Sequence, residues 1–238
     1  IKIAAGKKIP FKQTDINVTG WALESRIYAE DPSRNFLPSI GRLVHYIPPE
    51  ENQSIRVDSG VREGDEISIH YDPMIAKLVT KGEDRENAIS LMSSALNSYF
   101  IRGVQHNIEF LSALVAHPRF NSGDLTTNFI AEEFPDGFNS QDLPSKDPFI
   151  PIVVAASVNY VFQQRTIAQN DPVIVDNQSM SDDWVVVTKD GNHTVKVQQT
   201  ADRYIVVLPE LQFELKTKWQ TGDPLLHGTL NGEVLCVQ

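Results

Sequence analysis

The sequence predicts an α+β fold, in which an antiparallel sheet with helices is followed by a long helix and a small antiparallel β-barrel domain. Three observations predict this fold. Residues 21–30 alternate between apolar and polar side chains with the period of a strand and are followed by short strand-like stretches up to residue 81, and residues 84–134 then show helical spacing. After a stretch rich in proline, one long helical pattern precedes strands that are joined by hairpin turns.

The clearest strand of the first domain, which we place at residues 1–134, is the stretch 21–30. Its apolar side is formed by Trp21, Leu23, Ser25, Ile27 and Ala29. Its other, largely charged side is formed by Ala22, Glu24, Arg26, Tyr28 and Glu30. Such a period of two predicts a strand with one face toward the core. Shorter strands are predicted at residues 42–47, 54–58, 66–71 and 74–81.

Three helices are predicted after this sheet. Asp84 is suited to cap a helix over residues 85–99, in which Ile89, Met92, Leu96 and Tyr99 recur at helical spacing. A second helix over residues 105–116 should stop at Pro118, and a third should cover residues 124–134.

Residues 135–147 are predicted to be a linker, because the stretch from Pro135 to Pro148 contains three prolines and many small polar residues. The second predicted domain, residues 148–238, begins with a helix over residues 149–169. Its strands are predicted at residues 184–189, 193–199, 204–208, 210–218, 226–230 and 234–238. Asp-Gly and Asn-Gly pairs between strands are strong signals of hairpins.

The composition limits the kinds of partner and ligand that this protein can bind. The net charge is −10, from 21 basic and 31 acidic residues, which predicts no nucleic-acid partner and no binding to an anionic membrane. The single cysteine, Cys236, excludes an internal disulfide and a zinc site made of several cysteines. The histidines are scattered without the spacing of metal ligands, so we predict no metal site.

Glu24 and Arg26 are candidates for an anion site, because they lie two residues apart on one face of the predicted strand. An arginine held between Glu24 and Glu30 offers a planar set of donors that can bind bicarbonate or a ureido oxygen. The alternative is an ordinary surface ion-pair ladder, which the residues by themselves favour.

Two further candidates follow along the chain. Asp72 could orient an arginine, or it could simply be the turn residue before Pro73. Phe36, in a loop bracketed by Pro38 and Gly41, could stack on a ring or fill the core.

Four segments resemble the C-terminal part of biotin carboxylase domains, in the order and spacing of that family. They are Gly20–Pro32, Phe36–Gly41, Tyr71–Leu78 and Gly82–Arg85. The helix at residues 152–165 and the sheet that begins near Trp184 are similar to the domain that links biotin carboxylase to the biotin carrier in propionyl-CoA carboxylase alpha subunits.

This resemblance implies ATP-dependent carboxylation of biotin by bicarbonate, followed by transfer of the carboxyl group to propionyl-CoA on a carboxyltransferase beta subunit. It implies that Arg26 is catalytic and contacts both bicarbonate and the ureido oxygen of biotin. It also implies that Phe36 lines the biotin pocket and that Glu24 and Asp72 support Arg26.

The family further implies biotin on a carrier domain beyond Gln238, and an ATP- and Mg-binding portion before Ile1. We therefore expect an inactive fragment of a longer enzyme. Its partners should be the carboxyltransferase beta subunit, docked by the second domain, the biotin carrier domain and a second biotin carboxylase domain. The compartment should be the mitochondrial matrix in a eukaryote and the cytoplasm otherwise.

Two alternatives stay open. The chain could be the same part of another acyl-CoA carboxylase, of the 3-methylcrotonyl-CoA type. It could instead be a protein-interaction module without catalysis.

Overall fold

The computed structural model describes residues 1–139, 143, 147–169 and 183–238, with the side chains of residues 168 and 169 left out. Its first-domain strands are β1 Trp21–Tyr28, β2 Glu30–Asp31, β3 Leu37–Pro38, β4 Gly41–Arg42, β5 His45–Ile47, β6 Ile55–Ser59, β7 Glu66–Ile67, β8 Met74–Gly82 and β9 Phe100–Arg102. Its second-domain strands are β10 Asp183–Thr188, β11 Gly191–Thr200, β12 Arg203–Val207, β13 Gln212–Thr217, β14 Leu226–Leu230 and β15 Glu233–Val237. Its helices are α1 Arg85–Asn97, α2 Ile108–Ala116, α3 Pro118–Ser122, α4 Phe129–Glu133 and α5 Ile150–Gln169.

The central sheet of the first domain has the strand order β1-β8-β6, with antiparallel pairing throughout. The predicted apolar face of β1 is confirmed and burial deepens along the strand, because Trp21 is half exposed while Ile27 is fully buried. The pairing of β1 with β8 is regular from Trp21 to Ile27 and shifts register before Tyr28. Strand β1 therefore lies at one edge of this sheet, with an irregularity at its end.

Helix α1 packs on the inner face of this sheet. It begins as predicted, because the Asp84 side chain accepts a hydrogen bond from the Asn87 amide at 2.8 Å. It ends earlier than predicted, so Tyr99 lies beyond it, fully buried. The residues that share this core include Ile27, Ile75, Leu78, Met92, Leu96 and Tyr99.

The helices that follow differ from the prediction. Pro118 does more than end α2, because it is the first residue of α3, where a missing amide hydrogen costs nothing. The third predicted helix shrinks to α4. The side chain of Arg85 donates to the carbonyls of Phe120 and Asn121 at the end of α3, and so fastens α3 to the start of α1.

A second, aromatic cluster lies beside α2. Phe36, Phe134 and Phe138 each meet the ring of Phe110, with ring centroids 4.9, 5.4 and 5.6 Å apart respectively. Phe138 belongs to the predicted linker, so the first part of that stretch packs on the first domain. Residues 140–142 and 144–146 of the predicted linker lie outside the described residues. The division of the chain at residues 134 and 147 stays a prediction.

The second domain is an antiparallel meander, β10 to β15 in sequence order, with α5 packed against it. The predicted helix and all six predicted strands are present, joined by short turns such as Asn231-Gly232. Their shared core includes Val153, Tyr160, Val197, Val206 and Leu215. Within the described residues, no pairing joins β10 to β15, so closure of the predicted barrel is not observed there.

The last strand touches the first domain. The Cys236 thiol donates to the Asn97 carbonyl at 3.2 Å, and the Gln238 side chain donates to the Tyr99 carbonyl at 2.8 Å. Arg102 in turn donates to the Gln238 side-chain oxygen at 3.1 Å. These contacts hold the end of β15 against the turn that follows α1. None of the described helices combines the length and apolar character that a membrane span requires.

Candidate functional site

The candidate site is Arg26 with Glu24, on the face of the central sheet that is turned away from α1. We call this whole face the outer sheet face, and its side chains are Glu24, Arg26, Tyr28, Arg56, Asp58, Lys77, Val79 and Lys81. The strand register sets these side chains in rows. One row crosses the three strands as Arg26, Lys77 and Asp58, and the next as Glu24, Val79 and Arg56. The predicted period of two in β1 thus places Glu24 and Arg26 on one face, as expected.

Arg26 is held loosely. Its Nε atom lies 3.7 Å from Oε1 of Glu24, and the two side chains are 59% and 43% exposed. A hydrogen bond with the Tyr28 side chain, and then the charge of Glu24, raise the pKa of Arg26, so the guanidinium stays charged. Within the described residues Glu30 makes no ion pair with Arg26, although the sequence suggested one. Most of the arginine's donors therefore remain open to a ligand.

The backbone under Arg26 is held by Asn107, a residue that the sequence analysis did not single out. Its side chain donates to the Arg26 carbonyl at 3.0 Å and accepts from the Tyr28 amide at 2.9 Å. Its own amide donates to the Tyr28 carbonyl at 3.2 Å. Because β1 is an edge strand, these backbone groups have no neighbouring strand, and the buried Asn107 takes its place. No local pattern signals a contact across 81 residues.

Asp72 lies near the end of β1 but does not reach Arg26. Its Oδ1 accepts a hydrogen bond from the Met74 amide at 3.0 Å, which closes the turn around Pro73. Burial and the nearby charge of Asp72 raise the pKa of Glu30. Asp72 therefore sits beside Glu30 and stabilises the turn that starts β8. A supporting role toward Arg26 stays a prediction.

Phe36 occupies an unusual backbone position. Asn35 and Phe36 both have left-handed φ angles, of 56° and 58°. This turn directs the Phe36 ring toward Phe110 in the aromatic cluster, where it is partly buried. The structure thus brings Glu24 and Arg26 together and sets Phe36 in a different cluster. Its predicted place in a biotin pocket stays untested.

A separate cleft of about 1320 Å³ opens between the two domains. Its lining includes Asp31, Arg102, His106, Glu109 and Cys236, and none of the predicted site residues. The Nδ1 atom of His106 is buried there without a partner among the described residues. Burial, and then the charge of Arg102, lower the pKa of His106. Across the described part of the chain, no three potential metal ligands come together.

Two family models match this chain. Residues 24–132 match the biotin carboxylase C-terminal domain, and residues 152–238 match the propionyl-coenzyme A carboxylase BT domain. The first match covers the outer sheet face, and the second covers the meander with most of α5. The first part of the chain therefore belongs to the family of biotin carboxylase C-terminal domains, and the second part to the family of propionyl-coenzyme A carboxylase BT domains.

Related proteins of known name indicate which kind of carboxylase this chain resembles. The propionyl-CoA carboxylase alpha chain of Ruegeria pomeroyi is 38% identical over 100% of this chain and 38% of its own length. The mitochondrial alpha chain of Caenorhabditis elegans is 43% identical over 97% of this chain and 30% of its own. The human mitochondrial alpha chain is 38% identical over 95% of this chain and 32% of its own length. Over nearly its whole length this chain is thus similar to propionyl-CoA carboxylase alpha chains, and it spans about a third of the length of these relatives.

Solved structures support the fold of the first domain. The biotin carboxylase subunit of a pyruvate carboxylase is 38% identical, with a TM-score of 0.54 over 57% of this chain and 30% of its own. A second structure is the biotin carboxylase domain dimer of Hydrogenobacter thermophilus 2-oxoglutarate carboxylase, in complex with MgADP, ADP and bicarbonate. It is 39% identical, with a TM-score of 0.53 over 55% of this chain and 29% of its own.

Proposed function

We propose that this chain acts within a longer biotin-dependent carboxylase subunit that carboxylates biotin with bicarbonate and ATP for transfer to propionyl-CoA. The observation that carries the proposal is Arg26, which is charged, exposed and has most of its donors free on an edge strand of the matched biotin carboxylase domain. ATP and Mg would be bound by parts of the subunit outside residues 1–238. Catalysis by this chain without those parts is not expected.

The residues present fit a bound anion and a ureido group. Arg26 keeps most of its donors free, since its ion pair with Glu24 is long and both side chains are exposed. Biotin, when bound, supplies the ureido nitrogen that accepts the carboxyl group. Arg26 would donate hydrogen bonds to bicarbonate and to the ureido oxygen, where negative charge develops. Glu24 and Tyr28 hold the guanidinium, and Asn107 fixes the strand below it.

The test uses a full-length subunit that contains this segment, assayed for carboxylation of free biotin. Replacement Arg26→Gln should lower kcat/KM by about a hundredfold or more, the usual cost of losing one preorganised donor. Arg56→Gln is the matched control, because Arg56 lies on the same face but is already paired with Asp58 at 3.1 Å. Equal activity of the two variants would overturn the proposed role of Arg26.

For the second domain we propose docking of the carboxyltransferase beta subunit, as well as contact with the biotin carrier domain. The support is the match of residues 152–238 to the BT domain, together with exposed apolar residues such as Phe162, Val185, Val187 and Val234. A contiguous exposed apolar patch is typical of a partner surface, and Val185 and Val187 lie on the same exposed face of the edge strand β10. A second biotin carboxylase domain is a further proposed partner, because the related 2-oxoglutarate carboxylase domain is described as a dimer.

Size-exclusion chromatography tests the docking. The chain should co-elute with a propionyl-CoA carboxyltransferase subunit and not with a methylcrotonyl-type subunit. Co-elution with neither would remove the docking proposal, while leaving the role of Arg26 unaffected.

The methylcrotonyl type is the second candidate. The mouse methylcrotonoyl-CoA carboxylase alpha subunit is 46% identical over 62% of this chain and 20% of its own length. Its match covers less of this chain than those of the propionyl-type relatives. Because the BT-domain match extends to residue 238, we favour the propionyl type. The human and nematode relatives are named as mitochondrial, so we propose the mitochondrial matrix if the source is eukaryotic and the cytoplasm otherwise.

A further inference from the structure

Arg26 has a second positive residue directly opposite it. In the antiparallel pairing of β1 with β8, Arg26 faces Lys77, and both side chains lie on the outer sheet face. Residues opposed in this way have Cβ atoms roughly 5 Å apart. Two like charges at such positions destabilise a sheet, since each raises the electrostatic free energy of the other. The pairing is therefore unfavourable for folding.

The carboxylate opposite Lys77 relieves this repulsion only in part. On its other side Lys77 faces Asp58 of β6, but Asp58 is in an ion pair with Arg56 at 3.1 Å. Within the described residues, Lys77 itself makes no ion pair. Its side chain is also partly buried, whereas Lys81, on the same strand and face, is exposed. A partly buried ammonium beside an arginine has an energetic cost that a bound anion would offset.

The outer sheet face as a whole is positive. It contains four basic residues, Arg26, Arg56, Lys77 and Lys81, and two acidic ones, Glu24 and Asp58, which gives +2. The whole chain carries −10. A local excess of positive charge on an acidic protein attracts small anions to that surface.

We propose that Lys77 is an anion-binding residue of the Arg26 site, whose ammonium provides the second positive charge that holds bicarbonate against the guanidinium. This rests on the proposed function of Arg26 and adds a residue to it. Lys77 acts through its charge, so a substitution that keeps the charge should keep the effect. A sequence that tolerates a local electrostatic conflict commonly does so at a functional site.

The experiment compares Lys77→Gln, Lys77→Arg and Lys81→Gln in the same full-length subunit. Lys77→Gln should raise the KM for bicarbonate about tenfold, with a smaller change in kcat, because one of the two positive side chains that bind the anion is lost. Lys77→Arg should restore the KM to within about threefold of the parent. Lys81 lies four residues farther along β8 on the same face, so Lys81→Gln should leave the KM unchanged. The urea midpoint of Lys77→Gln should equal or exceed that of the parent, since like-charge repulsion is removed.

A structural role for Lys77 would give the opposite pattern, with a lowered urea midpoint and an unchanged KM for bicarbonate in the folded protein. That result, or equal losses in Lys77→Gln and Lys77→Arg, would overturn the proposal. The variant Arg26→Gln distinguishes a failure of the role of Lys77 from a failure of the proposed function. If it loses carboxylation while Lys77→Gln behaves like Lys81→Gln, only the role of Lys77 fails. If Arg26→Gln keeps full activity, the proposed function of the site fails first.

Discussion

Replacement of Asn107 by alanine should weaken the first domain at the strand that carries Arg26. The side chain is 6% exposed and makes two hydrogen bonds, to the Arg26 carbonyl and from the Tyr28 amide. Alanine leaves both backbone groups without a partner at the edge of the sheet. Each such loss costs about 1–3 kcal/mol, so the two together should lower the free energy of unfolding by about 2–6 kcal/mol.

Two measurements check this value. Urea unfolding gives the change in free energy of the first domain, and hydrogen exchange at the Tyr28 amide reports the local effect. Protection of that amide should fall by a factor of roughly 30 or more, the equivalent of about 2 kcal/mol. Asn128→Ala is the matched control, because Asn128 also precedes a helix but is exposed and makes no side-chain capping bond. A loss for Asn107→Ala within about 0.5 kcal/mol of this control would refute the reasoning.

Two further predictions concern the backbone and the response to pH. Gly103→Ala should destabilise the first domain by several kcal/mol, because its φ is +106° and a Cβ would lie 2.0 Å from the Arg42 carbonyl oxygen. Gly6→Ala is the control, because its φ of +82° is also positive but nothing lies within 4 Å, so it should cost only the backbone strain of about 1–2 kcal/mol. His106 has a lowered pKa in the folded state, so it takes up a proton when the protein unfolds below its ordinary pKa of about 6.5. The contribution of neutral, buried His106 to the free energy of unfolding is therefore present above about pH 6.5 and is lost as the pH falls below that value. His106→Gln should flatten the decline in unfolding free energy between pH 7 and pH 5, and an unchanged slope would contradict this account.

Local patterns were sufficient for much of the fold and for part of the site. The alternation from Trp21 to Ala29 determined which face of β1 is buried, and hence that Glu24 and Arg26 share the other face. Asp84 marked the start of α1, and turn residues marked the hairpins of the meander. These features depend on residues a few positions apart, so the sequence itself shows them.

Contacts between distant segments were decided only by the tertiary structure. The clamp of Asn107 on β1, the placement of Lys77 opposite Arg26 and the packing of Phe138 with Phe110 each join residues far apart in the chain. The hydrogen bond from the Gln238 side chain to the Tyr99 carbonyl also joins distant parts of the chain. The sequence by itself determined the strand faces, the long helix and the candidate arginine. The tertiary structure decided which neighbours surround that arginine, because register and chain packing follow from the global burial of apolar surface and have no local signal.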